Sequence, residues 1–509
     1  MKKYAIFDSK INNFKESSLK VFEPKNLRPY CQSQRLLFPP NLREVIADDD
    51  LCLVVDEVVN LLDLSALYAK VPSEGNLSYH PKMMLKIVVY AYASGIFSSR
   101  KIAKALGENV AFIYLAAWQR PDFRTINNFR KNNLSELDDL FVQIVRICQK
   151  LKMVKLGHIS IDSSRFKANA ADRRSYDRKR IAREIKRLLD QAEEADQKED
   201  AQFGPENSGD ELPKEIRDRN RRIEKLKEIK KQLDQEDKEK LNATDADAVF
   251  MKTTAGIKTA YNAQAAVDEH QQVIIAADVT NQSYDVDHLL PMVDQAQENT
   301  ASSLRVLSAD AGYSSADNLE RLEARNIDAY IPDDQYQSRL RGKKVARFDK
   351  DNFGYDPRRD VFICPEGKQL PFVYRQRRND KGAYLIYQCS GGSECGHWGQ
   401  CTTNKKGRTV CRRDIDEKIK QMRLKLDSKL GKAIYAKRKV IVEPVFGQIK
   451  AVQGFTDFKL RGLKKVNAEF KLVAIAHNVR KISKYIHKKG INLAAKLAQS
   501  QLQPQLAAS

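Results

Sequence analysis

Three carboxylates stand where an ionised group needs a physical reason. Asp162 interrupts GHISIDSSRFKA (157–168), whose apolar, partly alternating pattern predicts a strand. An ionised side chain buried there is costly without a partner or a metal. Asp310 closes a second such run, LRVLSADAGY (304–313), and Gly312 just beyond it allows a close turn. Glu443 interrupts a basic stretch, with Lys437, Arg438 and Lys439 before it and Lys450 after it. Carboxylates brought together in this way suit phosphoryl transfer, in which two divalent ions about 3.5–4 Å apart clamp the attacking and leaving oxygens. Mg²⁺ fits such a site because it takes few oxygen ligands and keeps several waters. The chain has 67 acidic residues, so a few near strand ends are expected anyway, and Arg165 is another partner for Asp162. Residue types and periodicity alone leave the trio open.

A second group is made of sulfur. Of eight cysteines, Cys364, Cys389, Cys395, Cys401 and Cys411 share one short window. The first four are separated by 24, 5 and 5 residues. Four thiolates suit a tetrahedral Zn²⁺ that staples a region poor in core residues. The spacing is looser than that of a standard zinc ribbon, so His397 or Cys411 could replace a ligand. Reduced cysteines in a hairpin-rich insertion are the other reading. Eight cysteines in 509 residues are no disulfide scaffold, which points to a reducing, cytoplasmic compartment.

The elements that must position these groups follow from patterning. Residues 1–150 read as a helical N-terminal domain, with helices in 51–71, 80–99 (Pro81 just inside the start) and around a Gly107 turn. A small helical module of this kind serves either DNA-end binding and assembly or packing alone. Residues 21–41 are Pro-punctuated and expected to be extended, and Asp48–Asp50 reads as a helix cap. Strands are expected at 157–168, 260–268, 271–280, 304–313 and 327–332, with helices at 288–297 and 315–325. Three strands, helix, strand, helix, strand is a mixed α/β order. Residues 171–240 hold 20 basic and 20 acidic side chains. Ile181, Ile185, Leu188 and Ala192 lie on one helical face, and Ile216, Ile223, Leu226 and Leu233 on another. A charged helical hairpin broken by GPENSGD (204–210) accounts for this, with a partly disordered linker as the alternative. Residues 333–420 form the cysteine-containing insertion.

The formal net charge of +22 argues for a polyanionic partner, nucleic acid before an anionic membrane surface. Residues 431–490 carry 15 Lys plus Arg against 3 acidic groups. Leu472, Ile475, Val479, Ile482 and Ile486 give that region an apolar stripe, so one helix face should pack on the core. The longest apolar run, 87–97, is too short to span a membrane. Residues 491–509 read as a flexible tail.

Three blocks carry a family likeness. They are FEPKNLRPYCQSQRLLFPPNLREVI with NLSYHPKMMLKIVVYAYASGIFSSRKIAKALGENVAFIYLAAWQRPDFRTINNFRK; GHISIDSSRFKANA with AYNAQAAVDEHQQVIIAADVTNQSYDVDHLLPMV and LRVLSADAGYSS; and YAKRKVIVEPVFGQIKAVQGFTDFKLRGLKKVNAEFKLVAIAHNVRKI. Together they resemble the DDE transposases of bacterial insertion sequences, in the IS4/IS5 group and most like its IS1182 branch. The resemblance implies an α/β RNase-H-like mixed-sheet core, interrupted by the charged helical and cysteine-containing insertions, preceded by the all-helical domain and closed by basic helices at 421–490. It implies Asp162, Asp310 and Glu443 as catalytic Mg²⁺ ligands, two ions in all, with Mn²⁺ able to substitute. It also implies Tyr435, Arg438 and Lys450 as DNA contacts. The family spacing would put the arginine at Lys439, so Arg438 and Lys439 both stand for that role. Pro444 biases Glu443 away from helical geometry, so either a helix starts there or it is kinked. The implied activity is metal-dependent hydrolysis and strand transfer on double-stranded DNA, element ends and target alike, by a homodimer or higher synaptic complex. A same-fold nuclease that does not join strands and an inert DNA-binding protein are the rivals.

Overall fold

The structure, a computed structural model, describes residues 41–497 apart from 73, 75–76, 204–213, 237–238, 334, 337–339, 342–345, 378–382 and 413–415. The expected extended segment 21–40 and the GPENSGD break therefore lie outside the described residues. The chain divides into two units, Met1–Val45 and Ile46–Ser509. Of the first, only the short helix Leu42–Val45 and Asn41 before it are described.

The second unit opens with helices whose ends follow from their caps. Asp50 accepts the Cys52 amide at 2.8 Å and starts Leu51–Asn60. Pro81 opens Pro81–Ala93, and Asp122 caps Phe123–Asn132. Gly107 does not make the turn expected of it; it lies inside Ser99–Glu108, and the break falls at Asn109, whose side chain caps Val110–Leu115.

Thirteen strands are described. The core sheet is built from β1 (His158–Lys167), β4 (Val249–Thr253), β5 (Gly256–Asp268), β6 (Ile274–Thr280), β7 (Val306–Ala309) and β8 (Asp328–Tyr330), with β2 (Ser175–Tyr176) and β3 (Leu241–Asn242) as a separate short pair. β5 is antiparallel to β1 on one edge. On the other edge it pairs antiparallel with β4 and then with β6. β7 runs parallel to β1, and β8 parallel to β7. This mixed sheet, flanked by helices and preceded by a helical region, is consistent with an RNase-H-like fold. Between β2 and β3 the helices Arg178–Phe203 and Lys214–Gln235 bury Ile181, Leu188, Ile223, Leu226 and Leu233 against each other. The side chains of Ala192 and Ile216 lie outside the described set.

A second sheet is antiparallel throughout, in the order β13–β12–β11–β10–β9: β9 (Gly354–Asp356), β10 (Val361–Ile363), β11 (Gln369–Arg377), β12 (Ala383–Gln388) and β13 (Thr409–Arg412). Its buried cluster is small: Phe353, Phe362, Leu370, Tyr387, Cys389 and Val410.

The helix Leu463–Lys489 is the centre of the main core. It packs on β6 and on the helices Leu134–Lys150, Pro81–Ala93 and Leu51–Asn60. The expected stripe from Leu472 to Ile486 is buried, but so are Ala474, Ala476, His477 and Asn478 between its members. A one-faced helix is thus the wrong picture for its middle, because layers close on it from opposite sides. Asn478 accepts the Ile274 amide at 2.9 Å and donates to the Ile274 carbonyl at 2.8 Å. That contact satisfies an edge strand's backbone, which burial would otherwise make costly. Residues 493–497, expected to begin a flexible tail, are helical and bury Leu493 and Leu497.

Candidate active site

Register brings the first two carboxylates together. Ile161 on β1 faces Ala309 on parallel β7, so Asp162 and Asp310 follow as the next neighbours on strands about 4.8 Å apart. Alternation puts Ser160 on the face of Asp162 and Ser308 on the face of Asp310. These two serine hydroxyls are hydrogen-bonded at 2.7 Å, which fixes the common face. His158, two residues earlier, bonds Ser308 at 2.9 Å through Nε2 and so has a structural partner. Asp310 then ends the strand: its Oδ1 accepts the Gly312 amide at 2.9 Å and opens a short 3₁₀ turn.

Glu443 arrives from the C-terminal helices. The chain is helical over Lys429–Ala436 and Arg438–Ile441, breaks at Val442, and restarts as Glu443–Gly447 with Pro444 in the first turn. Proline has no amide proton to lose at a helix start, so Pro444 sits where it costs least. Arg438 links the segments. Its guanidinium donates to Asp162 Oδ2 at 2.8 Å and to Glu443 Oε1 at 3.0 Å. Asp162 thus pairs with Arg438; Arg165 instead reaches the Ser283 carbonyl at 2.9 Å and lies 3.7 Å from Asp285.

The electrostatics follow from crowding. Burial pushes the Asp162 carboxyl up to about 6, Arg438 opposes the rise, and the charge of Asp310 adds to it. Burial also raises Asp310, again opposed by Arg438, while the Asp285 charge adds to the rise. Two neighbouring carboxylates share one guanidinium, which is less positive charge than both need when ionised.

The remaining sequence candidates have distinct places. Tyr435 is buried, stacked edge-on against Tyr336 at 5.3 Å, with the Arg438 guanidinium 6.0 Å from its ring centre. Burial raises its hydroxyl to about 12. Lys439 is exposed. Lys450 lies on the π-helical turn Gln448–Val452, not on a regular helix two turns beyond Glu443. Its ammonium donates to Ser164 Oγ at 2.6 Å and to the Arg165 carbonyl at 3.2 Å. Ser164 shares the sheet face of Asp162 by alternation, so Lys450 brings its charge to that face by another route.

One acidic residue escaped the sequence reading. Asp285 is buried, and its Oδ1 accepts the Asn262 amide at 2.7 Å and the Gln264 amide at 2.8 Å. Asn262 and Gln264 do share a face on β5, as alternation predicts, and Tyr313 donates its hydroxyl to Gln264. A Cβ on Gly312 would stand 3.1 Å from Asp310 Oδ1 and 3.3 Å from Asp285 Oδ2, so the glycine leaves room for both carboxylates. Only the polar pair Asn262 and Gln264 hinted at this neighbour, since Asp285 lies between strand and helix with no periodicity to mark it.

The donors are all carboxylate oxygens, the set that suits a hard divalent cation. Among the described residues no three His, Cys, Asp or Glu side chains stand close enough together to hold a metal ion. In this arrangement the Arg438 guanidinium supplies the positive charge between Asp162 and Glu443. Beyond the site, Arg480, Lys481 and Lys484 line a cleft with Gln448 and Gln453, and Lys488 and Lys489 extend the basic surface toward His270. No helix among the described residues is long and apolar enough to cross a membrane.

Residues 363–483 match the family model described as a transposase DDE domain, which includes Glu443, Arg438 and the clustered cysteines but neither Asp162 nor Asp310. Residues 40–132 match a second, described as a transposase domain (DUF772). No curated protein and no solved structure matches the chain. The chain therefore carries a DDE-type transposase domain in its C-terminal half and a further transposase domain at its N-terminal end.

Proposed function

We propose that the protein is a DNA transposase of the insertion-sequence type, resembling the IS1182 branch, and that Asp162, Asp310 and Glu443 are its catalytic carboxylates. The observation that carries this reading is the Arg438 bridge, which ties a strand carboxylate to a helical carboxylate from distant parts of the chain. Register supplies the third member beside the first.

Asp162, Asp310 and Glu443 would hold Mg²⁺, or Mn²⁺ in its place. When bound, the two ions lower the pKa of the attacking water and neutralise charge on the phosphodiester oxygens. The protein's own residues set the stage. β1 and β7 fix two carboxylates side by side at a rigid sheet centre. Arg438 holds Asp162 and Glu443 in place while no cation does, and its charge can move to a DNA phosphate when one does. Lys450, anchored on Ser164, offers a second positive contact to the same backbone. Geometry favours Arg438 over Lys439 for the family's arginine. Tyr435 backs Arg438 from the buried side.

Hydrolysis would free a 3′-hydroxyl at the element end, and that hydroxyl would then attack a target phosphodiester in line. The basic surface of Arg480, Lys481 and Lys484 would receive double-stranded DNA by phosphate contact. Two ends require two copies, so a homodimer or higher synaptic complex is the working form, acting in the bacterial cytoplasm on the nucleoid. The test is incubation of the full chain with Mg²⁺ and labelled DNA bearing candidate element ends. Joined products are expected. Cleavage without joining would point to the nuclease, and binding alone to an inert DNA-binding protein.

A further inference from the structure

We propose that the stem of the charged helical hairpin contacts the phosphate backbone of double-stranded DNA through Lys227, Lys230 and Lys231. The contact rests on the DNA-binding part of the proposed function and adds a second surface to it.

The zero net charge over residues 171–240 hides a segregation. Residues 171–187 hold eight basic and three acidic side chains, and residues 221–235 hold six and three. The span 188–220 between them holds four and eleven. Arg178 meets Asp234 and Glu184 meets Arg222, so the two helices run antiparallel and their basic stretches lie side by side.

Two of the stem's acids are engaged within the hairpin. Arg178 Nε donates to Asp234 at 2.7 Å, and Glu184 Oε1 accepts from Arg187 at 2.9 Å and from Arg222 at 2.6 Å. Lys227, Lys230 and Lys231 stand outside these pairs. They are exposed and line one shallow groove with Asp234 and Gln235. Among the described residues none of the three forms an ion pair. Spacings of three and four residues put them on one helix face, where like charges repel. A polyanion relieves that repulsion, and a duplex presents one phosphate charge per ~1.7 Å of its axis.

The root of the hairpin is fixed beside the candidate active site. β1, which carries Asp162, ends at Lys167, only a few residues before the hairpin begins. Asp172 accepts the Thr259 amide of β5 at 3.0 Å. After β3, Asp245 and Asp247 accept the Gly462 and Leu463 amides at 3.1 and 2.8 Å, which ties the root to the start of the long C-terminal helix. From Asp162 to Lys167 the strand covers roughly 17 Å. One turn of duplex is about 34–36 Å long, so DNA held at Asp162 comes within reach of the root inside one turn. The acidic span 188–220 repels the same backbone, which confines the contact to the stem. This placement favours DNA over the acidic span of a second copy as the occupant of the groove.

The test is binding of the full chain to short labelled duplexes of unrelated sequence, followed by fluorescence anisotropy across a salt series. The triple variant Lys227→Gln, Lys230→Gln, Lys231→Gln is expected to bind every duplex more weakly. Its slope of log affinity against log salt should be shallower than that of wild type by about 2–3, near 0.9 per lost phosphate contact. The triple variant Lys227→Arg, Lys230→Arg, Lys231→Arg should keep the wild-type slope. A glutamine variant with wild-type slope and affinity would overturn the contact while leaving DNA binding itself intact. So would an unchanged slope with an altered oligomeric state of the DNA-free protein, which would assign the groove to a second copy. Wild-type protein that binds no duplex would overturn the contact together with the reading it rests on.

Discussion

The core sheet and the cysteine-bearing sheet rest on separate buried clusters of very different size. Around Asp162 the strand is embedded in the largest core of the protein, with Ile159, Ile161 and Phe166 fully buried beside it. Position there is set by packing and register, and the polar groups are passengers on a rigid frame. The β9–β13 sheet rests on a smaller cluster of its own, in which Phe353, Phe362, Leu370, Tyr387, Cys389 and Val410 are buried. Where burial is deep, charge must be compensated, as Arg438 does for Asp162.

The contrast can be broken by mutation. The largest effect is expected for Asp162→Ala, Asp310→Ala or Glu443→Ala, each lowering the rate of Mg²⁺-dependent DNA cleavage by at least about 100-fold. Cys411→Ser in the other sheet should leave that rate within about twofold. Next, Ile161→Ala should destabilise the whole core by about 2–5 kcal/mol in denaturant unfolding. Phe362→Ala should instead loosen its own sheet, with hydrogen exchange accelerating in β10–β12 while β1 and β5 keep their protection. A global loss from Phe362→Ala would erase the distinction between the regions.

The pH dependence sharpens it further. Asp162 is raised from 3.8 to about 6, so its favourable contribution to folding is complete below 3.8 and lost as pH rises through about 6. Removing the charge should help most at high pH. The stability of Asp162→Asn minus that of wild type should rise between pH 4 and pH 8, by roughly 1–3 kcal/mol. Asp310 is raised as well, by burial, with the charge of Asp285 adding to the rise, so its contribution has the same sign. The smallest effect separates neighbours in sequence: Lys439→Ala should shift stability by no more than about 0.5 kcal/mol. It should also leave DNA cleavage nearly unchanged, whereas Arg438→Ala should depress it strongly.

How much was legible in the sequence differs by region for the same reason. Apolar periodicity marked β1, β5, β6, β7 and β8, and with them the strand positions of Asp162 and Asp310, because deep burial writes itself into residue choice. It missed β4, whose exposed Phe250 and Lys252 leave little of the apolar pattern a buried strand shows. It could not choose between Arg438 and Lys439, because the breaks at Lys437 and Val442 reset the helical phase that counting relies on. Asp285 was invisible for a third reason: its role is defined by amides reaching it from another strand, a relation that no local window contains.

The central claim is that Asp162, Asp310 and Glu443 serve one cation site. Mn²⁺ bound to the protein–DNA complex, counted by electron paramagnetic resonance for wild type and for each single alanine variant, tests it most directly. Each of the three substitutions is expected to lower the same bound signal, with Lys439→Ala leaving it intact. Undiminished Mn²⁺ binding in any one of the three variants would remove that residue from the site and contradict the account.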